Sequence, residues 1–246
     1  MRVPRIYTER PLQTGQQVEL EAGPSHHITK VLRMGEGRSL ILFNGTGGEF
    51  TGQIISASKK AVTVAIESFS ASDRCSPLTI HLGVGLSKGD RFEWVLQKAT
   101  ELGVSQITPL FTERSEVKLA GDRLAKKLGH WQQIIISACE QCQLNRPPQL
   151  LQPQRFDKWL PTLTEQARFV LHHRSDQNLA SASPATSVAL AIGPEGGLSE
   201  QEIESALQQG FQPLTLGPRV FRTETAPLAA ISVLQYLWGD LNSSKS

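Results

Sequence analysis

Two turns marked by glycine and proline constrain this chain more than any other feature. They are Ile192-Gly193-Pro194-Glu195-Gly196-Gly197-Leu198-Ser199 and Leu216-Gly217-Pro218-Arg219-Val220-Phe221-Arg222-Thr223-Glu224-Thr225-Ala226. Ser187 to Ile192 is short, continuous and apolar, as a parallel strand buried on both faces must be. The glycines after it let backbone approach a ligand closely. Ser199 with Glu202 predicts a capping box, Ile203, Ala206 and Leu207 an apolar helix face, and Gly210 a C-terminal cap. Pro213 to Gly217 reads as a second strand. Thr225, with Pro227 just inside, opens a helix carrying Leu228, Ile231, Leu234 and Leu237. Both turns therefore lie at strand C-terminal ends, where open α/β sheets take ligands. The second turn concentrates more polar side chains than a connection needs, and loops on rigid scaffolds carry function.

The 246 residues suffice for two cores. Up to about Phe69, short strands broken by glycine (Gln17 to Glu21, Arg38 to Phe43, Glu49 to Ala57, Ala61 to Glu67) predict a small barrel. A helical insert, His26 to Met34, interrupts it, with Ile28, Val31 and Leu32 on one face and Lys30 and Arg33 beside them. The serine-rich stretch Ser68 to Pro77 reads as a linker, which divides the chain into residues 1–70 and 71–246. Beyond it strands and helices alternate, the pattern of a parallel sheet covered on both faces. Leu78 to Val84, Ile107 to Phe111 and Phe169 to His172 are strands, and Ser175 to Thr186 is a loop. Asp90 and Glu93 predict a capping box on a helix with Phe92, Val95, Leu96, Ala99 and Leu102 inward and Gly103 at its end. A long helix from about Arg123 to Gln143 is expected to bury Leu124, Leu128, Trp131, Ile135 and Ala138.

A net charge of +2 is low for a nucleic-acid binder, yet basic residues crowd the first sixty positions: Arg2, Arg5, Arg10, Lys30, Arg33, Arg38, Lys59 and Lys60. No apolar stretch is long enough to cross a bilayer, and Met1 to Arg5 lacks a signal-peptide core, so a cytoplasmic protein is expected. Three cysteines suit a reducing compartment. Cys139-x-x-Cys142 lies within a helical pattern and has no partner pair, and the neighbours in His26-His27 and His172-His173 diverge, so no metal is expected. Gly83-x-Gly85-x-x-x-Gly89 leaves a rival open: a Rossmann-like dinucleotide site, one residue off the usual spacing, with Glu113 as the ribose-binding acid. No P-loop occurs.

At its two turns the chain resembles the SPOUT methyltransferases, and within them the RsmE-like family that methylates N3 of a uridine in bacterial small-subunit (16S) ribosomal RNA. The resemblance also takes in an N-terminal Arg5-x-Tyr7, His27 to Arg33, and Gln97 to Val104, nearly the whole chain. It implies an α/β C-terminal domain with a trefoil knot that binds S-adenosylmethionine, a small PUA-like N-terminal β-barrel that binds RNA, and a homodimer. Ordinary connection rules would not suggest a knot. The final helix, with Leu234, Tyr236, Leu237 and Trp238, is the candidate dimer surface.

On this resemblance the cofactor is expected among Leu171, His172, Ile192, Gly193, Pro194, Glu195, Gly196, Gly197, Leu216, Gly217, Val220, Phe221, Arg222, Thr223 and Thr225. Apolar side chains would line the adenine slot while backbone amides fix its orientation. A neutral uracil N3 has no free lone pair, so its proton must leave and the resulting charge must be stabilised. Glu224 and Glu195 are the possible acceptors, and Arg222 or Arg219 could stabilise the anion. Arg222 with Glu224 is the favoured catalytic pair. Arg2, Arg5, Arg33, Lys118 and Arg146 are expected to grip RNA phosphates around an unpaired or flipped uridine. A non-catalytic ribosome-assembly module with a vestigial pocket is a third reading, against which the intact turns argue.

Overall fold

The computed structural model describes residues 3–58, 61–117, 119–172 and 183–242. The expected loop at Ser175 to Thr186 falls largely outside them, as do Arg2, Lys59, Lys60, Lys118 and His173. The chain forms two compact units, Met1–Cys75 with Ile136–Pro147, and Ser76–Ile135 with Pro148–Ser246.

The first unit contains β1 (Arg5–Tyr7), β2 (Gln17–Glu19), α1 (Ala22–His26), β3 (Ser39–Phe43), β4 (Glu49–Ala57) and β5 (Val62–Ser70). The sheet runs β1-β3-β4-β5-β2, with β1 parallel to β3 and the other pairs antiparallel. Period-two alternation drives it: Phe50, Gly52 and Ile54 of β4 point inward while their neighbours are part-exposed. Ile6, Val18, Leu40, Leu42, Ile54, Val62 and Val64 close the core. The helical insert departs from expectation, because α1 continues as a π-helix over His27–Val31. The wider turn keeps Ile28 buried but leaves Val31 61% and Leu32 37% exposed, off the shared face that a regular helical period predicts.

The second unit is built on β6 (Thr79–Gly85), α2 (Arg91–Glu101), β7 (Gln106–Phe111), α3 (Gly121–Cys142, whose last turns group with the first unit), β8 (Gln149–Leu150), β9 (Gln154–Arg155), α4 (Phe156–Trp159), β10 (Ala167–Leu171), β11 (Ser187–Ile192), α5 (Glu200–Gln208), β12 (Gln212–Leu214) and α6 (Thr225–Trp238). Its strands are all parallel, in the order β12-β10-β11-β6-β7-β8, with β9 also on β7. β6 and β11 are buried along almost their whole length; the apolar run Val188 to Ile192 requires this of β11, while β6 carries one buried polar residue, His81, that must find partners. Trp159 sits at the centre of one face, its ring against Gly83, where a Cβ would come 2.4 Å from the indole. Its Nε1 donates to His81 Nε2 at 3.3 Å, and His81 Nδ1 is 2.8 Å from Glu165. Burial pushes the Glu165 carboxyl up, but the hydrogen bond to His81, backbone hydrogen bonds and the His81 charge together outweigh it and hold the group below its ordinary range.

The expected capping box on α2 does not form. Asp90 makes no side-chain cap, and Glu93 is drawn to Lys127 at 2.9 Å and His130 at 3.1 Å on α3. Cys139 of α3 is fully buried, and burial raises its thiol. Cys75 is pushed up to about 11, first by burial and then by Asp73, so neither is a ready thiolate. Among the described residues no helix is long and apolar enough to cross a membrane.

Candidate active site

The exits of β10, β11 and β12 close around a cavity of about 280 Å³. Leu171 and His172 come from the first exit, Ile192 to Leu198 from the second, and Leu214 to Gly217 with Arg219 to Phe221, Thr223 and Ala226 from the third. Thirteen of the fifteen predicted cofactor residues line it. Arg222 and Thr225 do not. Thr225 lines a neighbouring cavity instead, and Arg222 lines neither. Arg222 acts here through its carbonyl, which accepts from the amides of Thr225 and Ala226 at 2.9 Å and starts α6. Its side chain is exposed, and the carboxylate of Glu224 faces Arg91 Nε at 3.9 Å.

The Gly193 to Gly197 turn is shaped by close packing. A Cβ on Gly193 would lie 2.6 Å from Gly197 C and Leu198 N, and Gly197 N donates to Pro194 O at 2.8 Å. The capping box expected after it is present: Glu202 N donates to Ser199 Oγ at 3.2 Å and Ser199 N to Glu202 Oε2 at 2.9 Å. The buried Glu202 does more than its pattern announces, since its Oε1 also accepts from Glu113 N at 2.9 Å. Glu113 is thus tied through its backbone to α5. Arg114 beside it donates to Gly196 O at 2.7 Å and packs its stem over that glycine.

The dinucleotide alternative loses its first two glycines. Gly83 makes room for Trp159, and Gly85 for Pro194, whose N and Cδ would be 2.6 Å from an added Cβ. Protein fills both approaches, leaving no space there for a pyrophosphate.

Arg91, at the start of α2, is not singled out by its sequence pattern. Its Nη1 is 3.0 Å from Glu195 Oε1 and its Nε 3.9 Å from Glu224 Oε2, so one guanidinium bridges both candidate proton acceptors and joins the two turns. Lys88 N also donates to Glu195 Oε1, at 3.1 Å. The one signal for it is position: Arg91 follows a strand and a glycine turn, the same plan as the other two exits.

Among the predicted RNA-binding residues, Arg5 is corrected. It is 6% exposed, with its Nη1 2.6 Å from Glu49, its Nη2 on Asn145 and its guanidinium 5.2 Å from the Phe43 ring centroid. Burial of a charge demands such partners, and although Nε makes no hydrogen bond it is itself buried, so the guanidinium is closed to a phosphate. Arg33 is exposed and held at φ 52. Arg146 is exposed too, with Nε on Asp73 at 2.7 Å and its guanidinium over Gly47.

The model of an RNA methyltransferase domain matches residues 74–235, and that of an RNA methyltransferase PUA domain residues 25–67. Ribosomal RNA small subunit methyltransferase E of Buchnera aphidicola (from Schizaphis graminum) is 39% identical over 243 residues, 98% of this chain and 99% of the relative. The Bacillus subtilis protein of that name is 31% identical over 239 residues, 93% of each chain. A methyltransferase from Legionella pneumophila, solved with bound S-adenosylmethionine, superposes with a TM-score of 0.95 at 47% identity over 98% of this chain and 100% of its own. Ribosomal RNA small subunit methyltransferase E of Neisseria gonorrhoeae, also bound to S-adenosylmethionine, gives 0.91 at 38% identity over the same shares. With its parallel-sheet α/β unit preceded by a PUA-like N-terminal domain, the chain belongs to the ribosomal RNA small subunit methyltransferase E family.

Proposed function

We propose that this chain methylates N3 of a uridine in small-subunit ribosomal RNA, using S-adenosylmethionine held in the cavity between the exits of β10, β11 and β12. The observation that carries the reading is the convergence of three strand exits on one backbone-rich cavity, in a chain 47% identical to a protein solved with that cofactor. The lining fits the group. Leu171, Ile192, Leu198, Leu216 and Val220 offer an apolar slot, and the glycine turn offers amides without side-chain ordering cost. When bound, the cofactor supplies a methyl group already activated on a sulfonium. The residues of the chain must bring the base into line with it and remove the N3 proton. Glu224, half-buried at the edge of the neighbouring cavity, is the acceptor we assign, with Glu195 as the other carboxylate held there by Arg91.

The same reading divides the chain into an RNA-binding barrel over residues 1–70 and a methyltransferase domain over 71–246, with a trefoil knot in the latter and a homodimer. Exposure of Val233, Tyr236 and Leu241 on and after α6 supports that helix as the self-association surface, whereas Leu234 is buried and does not belong to it. Arg33 and Arg146 remain as phosphate-binding candidates. Arg2 and Lys118 lie outside the described residues.

Calorimetry should show one S-adenosylmethionine site per chain. Glu224→Gln should lower single-turnover methylation of small-subunit RNA by about 10²- to 10⁴-fold while sparing cofactor affinity. An unchanged rate would remove Glu224 from the chemistry, and full single-turnover activity in Arg222→Ala would remove Arg222. Neutralising Arg33 and Arg146 together should weaken RNA binding and reduce the slope of log affinity against log salt by about 0.7 to 0.9 for each phosphate no longer neutralised. A slope equal to that of the unaltered chain would count against this surface.

A further inference from the structure

We infer that the second cavity, about 1260 Å³, receives the acceptor base, and that Trp94 is the ring on which that base stacks. The inference rests on the functional reading above and gives it a substrate seat. Glu195 and Gly196 line both cavities, so whatever enters the larger one meets the cofactor cavity across a single turn.

Trp94, on α2, lines the larger cavity and is 49% exposed, while Trp131 and Trp159 are 3% and 0% exposed. Packing accounts for the two buried indoles and leaves Trp94 unexplained. Its ring is nevertheless held: Lys98 Nζ lies 5.0 Å from the ring centroid, and Lys98 is itself bound to Glu101 at 2.8 Å. An aromatic surface fixed in this way loses little side-chain entropy when a base stacks on it. Arg91, three residues earlier, lines the larger cavity and holds Glu195 and Glu224.

Charge identifies the occupant. The acids of the lining (Asp90, Glu113, Glu116, Glu195, Glu224) outnumber its bases (Lys88, Arg91, Arg114). Lys88 is already committed to Glu116, and Arg91 to its two carboxylates. An acidic pocket repels a run of phosphates and admits a neutral base, so a single uracil enters while its backbone stays outside. A uracil whose N3 must react has to leave its pair in any case.

The test compares the unaltered chain with Trp94→Ala and Trp94→Phe, using small-subunit ribosomal RNA as substrate and calorimetry with S-adenosylmethionine as a separate readout. Trp94→Ala should raise KM for RNA about 5- to 150-fold, the span of base–aromatic stacking, with unchanged cofactor affinity. Trp94→Phe should recover most of that loss. Wild-type KM in Trp94→Ala, with the unaltered chain active, would overturn the inference and leave the functional reading intact. So would sedimentation showing that Trp94→Ala dissociates an oligomer and that its KM follows the dissociation, because the ring would then belong to an interface between copies. An unaltered chain that neither binds the cofactor nor transfers a methyl group would overturn the functional reading itself.

Discussion

Gly85→Ala is expected to weaken S-adenosylmethionine binding by about 5- to 150-fold, corresponding to roughly 1–3 kcal/mol of overpacking strain. Gly85 ends β6, outside the cavity lining, yet its added Cβ would fall 2.6 Å from both Pro194 N and Pro194 Cδ. Neither atom can rotate away as the end of a flexible side chain would. Pro194 opens the turn that lines the cavity, so the strain is relieved by moving the turn or by opening β6 from β11, which pairs with it through Gly83 and Val84. Gly210→Ala is the matched control: it sits at φ +81 with open space around its Cβ position, and it should cost stability without touching cofactor affinity. Calorimetry on the two variants decides the matter, and equal affinity in Gly85→Ala and the unaltered chain would show that the turn does not need this close approach.

Arg5→Ala is expected to destabilise the first unit by about 3–5 kcal/mol, the cost of removing one partner of a buried ion pair, because the exposed Arg74 at 3.4 Å compensates Glu49 only in part. Its guanidinium holds Glu49 and Asn145 together, with 3% of the arginine and 16% of the glutamate side chain exposed. Burial pushes the Glu49 carboxyl up, but hydrogen bonds from Arg5 and Asn145 and the nearby Arg74 charge bring it below its ordinary range. A carboxyl with a depressed value in the folded state contributes stability above its unfolded value, and this contribution is lost as pH falls through the folded one. The penalty of Arg5→Ala should therefore shrink in acid, and Arg5→Met with Glu49→Leu should recover much of it. Denaturant titrations at neutral and acid pH measure both effects. A loss under about 1 kcal/mol at neutral pH would mean that the pair carries no more than a surface ion pair does.

These two positions mark where the sequence is informative and where it is not. β11 and the α5 capping box are legible because their causes are local: an apolar run, then Ser199 and Glu202 within reach of each other's amides. Asp90 and Glu93 present the same spacing and yet no box forms, because Lys127 and His130 supply stronger partners from another helix. Arg5 shows its charge in the sequence but not Glu49 or Asn145, which lie 44 and 140 positions away. The cavity lining is readable because its residues follow strand ends. Arg91 and Trp94 are not, since α2 reads as an ordinary amphipathic helix and only the folded sheet brings its start against Glu195 and Glu224. His81 and Glu165, 84 positions apart, meet only once β6 is in place.

The three bonds made by Glu202 have a consequence beyond geometry. One carboxylate starts α5, fixes the end of the glycine turn and anchors Glu113 after β7, so helix integrity and cavity shape are thermodynamically linked. By reciprocity, whatever frays the first turn of that helix is felt as lost affinity, and an occupant of the cavity returns the favour by protecting amides it never touches.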